Sequence, residues 1–253
     1  MIIISNRPLD VDAFSSEFAE DSIERAIIKI LSSSEKEYRY DSIEQLKFEL
    51  MLRREIVNTA KDLYKSKVEF RVFREAKCNP EYWELTKQGG FLLKDNVKAS
   101  DAIRDIFVNS SKYGTECATA MVIVYYKALL NIFPEDVFNV LFPKILLMNW
   151  HNIDKNLREV GVTNEVEDFL PGDRRYFANP DVDPLSPEWQ GENTIDLGNG
   201  LYFGHGIGIY SADAIIAELN KNRKENADES AYLLNSVGRP NFKKLADIYY
   251  RNS

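Results

Sequence analysis

The sequence predicts a single α+β domain, and three observations carry that prediction. From Ser42 to Lys65 the residues Ile43, Leu46, Leu50, Ile56, Val57, Ala60 and Leu63 recur near the helical period. From Cys117 to about Asn131 the chain is apolar almost all round, as a helix central to a core must be. Two strand-like segments, 192–197 and 201–210, flank Gly198-Asn199-Gly200, a good hairpin turn. At 253 residues the chain is long enough to bury a sizeable core in one domain.

Taken in order, residues 1–40 mix short apolar groups with serine-rich and acidic stretches, which reads as a wrapping arm with one helix near Ile23 to Leu31. Ser42 or Asp41 then caps the 42–65 helix. Tyr82 to Leu85 and Phe91 to Leu93 form a hairpin across Lys87-Gln-Gly-Gly90, and Ser100 caps a short helix carrying Ile103, Ile106 and Phe107. Pro134 opens another helix that Pro143 ends, and Lys144 to Met148 reads as a buried strand leading to Trp150 and His151. The stretch 152–190 holds Pro171, Pro180, Pro184 and Pro187 and reads as loop. Beyond Ser211 the chain reads as mostly helical, with a basic tail around Lys243, Lys244 and Arg251.

Apolar residues at 44% and charged residues at 28% are ordinary globular values. The net charge of -8, without a basic stretch interleaved with aromatics, argues against nucleic acid and makes a lysine side chain an easier partner. The run Ala118 to Tyr126 falls short of the roughly 18 residues of a membrane span. The opening Met-Ile-Ile-Ile-Ser-Asn-Arg carries no basic leader, so secretory export is not expected and a cytoplasmic origin with free thiols is.

Scarcity narrows the chemistry to Cys78, Cys117, His151 and His205. Cys117 stands between a polar loop, Lys112-Tyr-Gly-Thr-Glu116, and the apolar helix. The first turn of a helix presents unpaired N–H groups and a positive dipole end, which favour a thiolate and hold an oxyanion. The bland alternative is an inert core cysteine; a glycine-bearing polar loop favours the nucleophile. Cys78, beside Asn79-Pro80, reads as incidental. His205, flanked by Gly204 and Gly206, is either a structural strand histidine or a functional one, and His151 is at most a supporting group. The four Cys and His residues lack the short spacing of a zinc site, and no stretch resembles a calcium loop, so no metal or cofactor is expected. Glu192 enters an apolar strand, where it either meets a partner or acts as a base with a raised pKa. Glu116 is either a second base or a first-turn acid that complements the helix dipole.

The stretch Lys112 to Tyr126, Trp150-His151, Gly172-Asp173 with Tyr176-Phe177 and Asn179-Pro180, Trp189 to Asn193, Tyr202 to Gly206 and Ser230 to Leu234 together resemble the small spore-coat protein-glutamine gamma-glutamyltransferases of endospore-forming bacteria. The resemblance covers most of the chain and is weakest over residues 1–40. It implies a papain-like core of the NlpC cell-wall peptidase type, with the nucleophile's helix packed on an antiparallel sheet and extra helices at both ends. Leu170-Pro-Gly-Asp173 is similar to a turn of those peptidases. Where their catalytic histidine stands, this chain has Glu192, and His205 falls at the third, orienting position.

The implied catalytic set is Cys117 with Glu192, Glu116 as neighbour or substitute base, and His205 in support. A carboxylate near sulfur disfavours a thiolate, so the thiol would be deprotonated during attack. The implied reaction transfers a glutamine acyl group through a cysteine thioester to a lysine amine, with backbone N–H groups near Cys117 holding the oxyanion. Trp150, Trp189, Tyr113 and Phe203 are expected to form an apolar wall that keeps water from the thioester. The implied enzyme is a calcium-independent monomer made in the mother-cell cytoplasm and acting on spore-coat proteins. A cysteine hydrolase of cell-wall peptides and a non-enzymatic coat protein are the competing readings.

Overall fold

The computed structural model describes residues 1–150 and 152–252, so the expectation for His151 lies outside the described residues. The chain opens with β1 (Ile2–Ile4), β2 (Arg7–Pro8), α1 (Val11–Ser15), α2 (Ile23–Ser33) and β3 (Tyr38–Tyr40). β1 pairs antiparallel with β2 and parallel with β3. Ile2, Phe14, Ile27, Ile28, Leu31 and Tyr40 bury against Leu46 and Leu50 of α3 (Ile43–Lys65). The first 40 residues are therefore a small mixed layer with its own apolar cluster rather than a simple arm. Its strands are too short to show a period of two, which hides them in the sequence.

Ser42 caps α3 by accepting from the Gln45 N–H. Then come β4 (Glu69–Phe70), the hairpin of β5 (Trp83–Leu85) and β6 (Phe91–Leu93), and α4 (Ala99–Val108). Ser100 does not cap α4. It sits inside the first turn, where its N–H donates to Asn139 and its hydroxyl accepts from the same side chain. β7 (Gly114–Thr115) pairs parallel with β4 and runs directly into α5 (Cys117–Ile132). α6 (Glu135–Leu141) follows, and the strand expected over 144–148 shortens to β8 (Leu146–Leu147) on the edge of β6.

After β9 (Asn164–Glu165), β10 (Arg174–Ala178) lies in the stretch read as loop. Its Arg174 and Arg175 masked a buried strand, because each charge is placed inside by a specific partner. β10 pairs with β11 (Gly191–Gly198), and β11 with β12 (Leu201–Gly204). The segment expected as one strand over 201–210 is two, since the chain turns after Gly204 into β13 (Gly208–Ser211), with Gly208 at φ +110°. α7 (Ala212–Asn220), β14 (Tyr232–Leu233), β15 (Ser236–Val237) and α8 (Phe242–Arg251) complete the chain, so the tail is less helical than expected.

The main sheet is fully antiparallel in the order β13-β12-β11-β10-β14. α3 and α5 pack together and on β11, bringing Ile195, Leu197 and Phe203 into the principal core. α7 covers Phe177 with Ile215 and Leu219 in a separate cluster. No helix of the described residues is long and apolar enough to cross a membrane.

The layers are tied together by a buried ion network. Asp173, fully buried after Gly172 (φ +84°), accepts from Arg53 Nη1 at 2.9 Å and from Arg239 Nε and Nη2 at 2.6 and 2.7 Å. Arg53 also holds Glu49, and Arg239 reaches the carbonyl of Asp168, whose side chain accepts from Ser34 and Tyr38 of the N-terminal layer. Burial raises the pKa of Asp173, but the two guanidiniums overcome it and hold the carboxyl below its ordinary range. The stabilisation from a lowered pKa is present above the unfolded carboxylate value and is lost as pH falls through the folded one. Asp173→Asn leaves Arg53 with Glu49 as its one carboxylate and Arg239 with none among the described residues, and should cost about 3–5 kcal/mol at neutral pH by urea unfolding, with the deficit shrinking in acid. A loss below about 1 kcal/mol would contradict this account of the network.

Candidate active site

Glu116 ends the β7 ribbon and caps α5. Its carboxylate oxygens accept from the Ala118 and Thr119 N–H groups, each at 2.6 Å. Two of the first-turn amides expected to hold an oxyanion, those of Ala118 and Thr119, are therefore occupied by a carboxylate. Of the two readings of Glu116, the geometry realises the one in which it complements the helix dipole.

Cys117, the first residue of α5, lies on the floor of a cleft of about 610 Å³ whose lining includes Phe70, Phe73, Trp150, Tyr176 and Asn193. The expectation that the helix start lowers its pKa fails. Burial is the main cause pushing the thiol well above its ordinary value, and the charges of Glu192 and Glu116 add to it. Hydrogen bonds from Asn193 pull the other way, including the Nδ2–H donated to Sγ at 3.5 Å. Cys78 lies outside this cleft, with its thiol pushed up to about 11 by burial.

Glu192 is only 5% exposed and does not line the open cleft, although its neighbours Gly191 and Asn193 do. Burial and the charge of Glu116 push its pKa up to about 8, against the His205 main-chain N–H that donates to it. Its Oε1 has no hydrogen-bond partner among the described residues. The group is thus poised to exchange a proton near neutral pH, with its charge felt at the sulfur.

His205 is not in the cleft. It lies in the turn after β12 and lines a second cavity of about 250 Å³ with Phe70 and Phe203. Its Nε2 faces the Glu69 carbonyl at 3.2 Å, and the ring also meets the Thr115 carbonyl. Burial outweighs those carbonyls and lowers its pKa to about 4, so the imidazole is neutral in ordinary conditions. It ties the sheet to the β4–β7 ribbon that carries Glu116 and Cys117.

Of the expected apolar wall, the cleft contains Trp150 alone. Tyr113 is fully buried and donates to Asp105, Phe203 belongs to the core and the second cavity, and Trp189 packs in the α7 cluster. Phe70, Phe73, Tyr176 and the exposed Leu185 supply apolar surface instead. Strand alternation could have singled out Asn193, which follows Gly191 on the same side of β11. No local signal marks Phe70, brought in by the parallel pairing of β4 with β7. Among the described residues no group of three or more His, Cys, Asp or Glu side chains could hold a metal ion.

A single thiol on a cleft floor, backed by a buried carboxyl, suits acyl transfer, and comparison with known proteins decides the class. The model of the protein-glutamine gamma-glutamyltransferase family matches residues 1–249. The chain belongs to this family. A protein-glutamine gamma-glutamyltransferase of Bacillus cereus (strain B4264) is 41% identical over 239 residues, 94% of this chain and 86% of the relative. One from Bacillus anthracis (strain CDC 684 / NRRL 3495) matches at the same identity and coverage. The structure of a transglutaminase from Geobacillus stearothermophilus, without its C-terminal extension, superposes with a TM-score of 0.77 at 51% identity, covering 81% of this chain and 97% of that one. The protein is a transglutaminase that joins glutamine and lysine side chains of protein substrates, and the hydrolase and non-enzymatic readings give way.

A Cβ at Gly204 would lie 2.7 Å from Glu192 Oε1. Gly204→Ala should therefore displace this carboxyl without strain in φ, lowering amine incorporation by about 10- to 10²-fold in a protein that melts normally, a fraction of what a general base supplies. Activity within about twofold of wild type would show that the position of Glu192 does not matter.

Proposed function

We propose that Cys117 is the nucleophile and Glu192 the principal base of this transglutaminase, working on a neutral thiol rather than a pre-formed thiolate. The observation that carries the reading is the pairing of a thiol whose ionisation is opposed by burial and two carboxylates with a buried carboxyl of pKa about 8. As Sγ attacks the glutamine carboxamide carbon, the thiol proton passes to ionised Glu192. The tetrahedral intermediate collapses with cleavage of the C–N bond, the proton goes to the departing nitrogen, and ammonia leaves a thioester. A neutral lysine amine then attacks that carbonyl, gives its proton to Glu192 and expels the sulfur, which recovers the proton. Thiol and carboxylate are regenerated, and an isopeptide bond is formed. A base with a pKa near the working pH can accept and return the proton in both halves.

Glu116 serves chiefly as cap, since both its oxygens are engaged, and acts as a substitute base when Glu192 is lost. Phe70, Phe73 and Trp150 limit water at the thioester. His205 supports the site through its main-chain N–H to Glu192 and its ring on the Cys117 ribbon. A papain-like arrangement is supported by the helix-borne cysteine against an antiparallel sheet. We take residues 1–253 as one such domain, because the Asp173 network joins the N-terminal layer to the rest. We also propose a calcium-independent monomer, made in the mother-cell cytoplasm, that crosslinks spore-coat proteins. The sequence motifs it shares with spore-coat enzymes support the setting.

The test is incorporation of a primary amine into a glutamine donor with ammonia release, run with and without EDTA. Cys117→Ala should be inactive and Cys78→Ala unaffected, with chelator changing nothing. Because Glu192 must be ionised to accept the first proton, wild-type kcat/KM should rise through about pH 8. Glu192→Gln should lose about 10²-fold or more of the rate together with that limb, and the double variant with Glu116→Gln should be near background. Full activity in Glu192→Gln, with His205→Ala as damaging as Cys117→Ala in a folded protein, would replace this base with a Cys-His pair.

A further inference from the structure

One line of contacts crosses the site without a part in the proton transfers described above. Arg174, on β10, is almost wholly buried and forms no ion pair with a carboxylate among the described residues. Its Nε donates to the Val160 carbonyl at 2.9 Å, its Nη1 donates to Asn193 Oδ1 at 3.2 Å, and its guanidinium lies 4.4 Å from the centre of the Trp150 ring. Desolvating a cation without a counter-charge is unfavourable, so its retention calls for a gain elsewhere.

The gain lies in the orientation of the Asn193 amide. A guanidinium has only donors, so the amide must turn its oxygen toward Arg174. The NH2 end is then directed away, toward Cys117, where Nδ2 stands 3.5 Å from Sγ. Of the usual donors at such a cysteine, the first-turn amides of its helix, those of Ala118 and Thr119 are occupied by the Glu116 carboxylate. The sulfur is left between carboxylates and an apolar wall, and Asn193 supplies the hydrogen bonds that offset them.

We propose that Asn193 is a catalytic residue, its side-chain N–H stabilising the negative charge that develops on Cys117 Sγ and then on the carbonyl oxygen of the tetrahedral intermediate, and that Arg174 is the positioning residue that fixes the amide in the donating orientation. The same guanidinium seats Trp150, so the cleft wall and the donor are set by one side chain. The proposal rests on Cys117 being the nucleophile.

The decisive variant is Asn193→Asp. It keeps the size of the side chain and an oxygen toward Arg174, where a carboxylate pairs better than an amide, yet it removes the N–H at the sulfur. Because Asn193→Asp also brings a carboxylate to the sulfur, the uncharged Asn193→Ala is read beside it, and an effect common to both is the loss of the donor. Asn193→Asp and Asn193→Ala should each lower kcat for amine incorporation by about 10²-fold with KM changed little, as removal of an oxyanion donor does. Both should move the pH midpoint of iodoacetamide alkylation at Cys117, read by peptide mass in enzyme without substrate, upward by roughly one unit or more. Arg174→Lys, still a pure donor, should keep most of the activity. Arg174→Met, which lets the amide turn, should lose about tenfold and shift the alkylation midpoint the same way. Asn193→Asp with turnover within about threefold of wild type and an unmoved alkylation midpoint would overturn the assignment of Asn193. Equal effects of Arg174→Lys and Arg174→Met would overturn the role of Arg174. Failure of the underlying reading has a different signature, activity retained in Cys117→Ala.

Discussion

Helix α5 is buried on almost every side, and that constraint governs the chemistry at its first residue. Nearly every residue from Ala118 to Leu130 is buried against α3, α4 or the sheet, so the helix cannot rotate or slide to suit a substrate. Its N-terminal amides must nevertheless be satisfied. Glu116 does this with both oxygens, and in doing so it places a carboxylate beside the thiol. A cap that is favourable for the helix is therefore unfavourable for a thiolate. The thiol is held rigidly, in surroundings that favour its neutral form.

The surroundings answer that with a second acid rather than an imidazolium. Glu192 is buried with an oxygen that has no partner among the described residues, in a space that exists because residue 204 has no side chain. Burying a carboxyl in this way costs stability as pH rises from its unfolded value toward about 8, because the folded form keeps a proton that the unfolded chain has released. The cost is offset elsewhere in the fold, notably where Asp173 joins α3, the Gly172 turn and the segment before α8 through two arginines. Opposite shifts in two buried carboxyls of one chain separate their tasks. Asp173 stays ionised and structural, while Glu192 remains able to trade a proton.

Much of this was legible in the residues themselves. The apolar run after Cys117, the period of the 42–65 helix and the Gly198-Asn199-Gly200 turn locate α5, α3 and the β11–β12 hairpin, because local pattern and tertiary role agree there. The failures have physical causes. β10 was hidden because Arg174 and Arg175 are buried polar residues whose partners, the Val160 and Leu234 carbonyls, are distant in sequence. Tyr113 and Phe203 read as cleft walls because aromatics near a cysteine suit that role, yet their rings fill the core. Phe70 and Phe73 could not be anticipated, since only the parallel pairing of β4 with β7 brings them beside Cys117. The glycines around His205 mark a tight turn and close packing, and the imidazole they accompany faces two backbone carbonyls, so of its two readings the structural one is realised.

The central claim is that the base beside the thiol is a carboxyl held protonated in the resting enzyme. Difference infrared spectroscopy of the unliganded protein reads this directly, through the carbonyl absorption of a neutral carboxylic acid. The account predicts such a band at mildly acidic pH, above the ordinary carboxylate range of about 4, disappearing with a midpoint near 8 and missing from Glu192→Gln. A Glu192 already ionised at mildly acidic pH, with no titrating carboxylic band separating wild type from the variant, would contradict it.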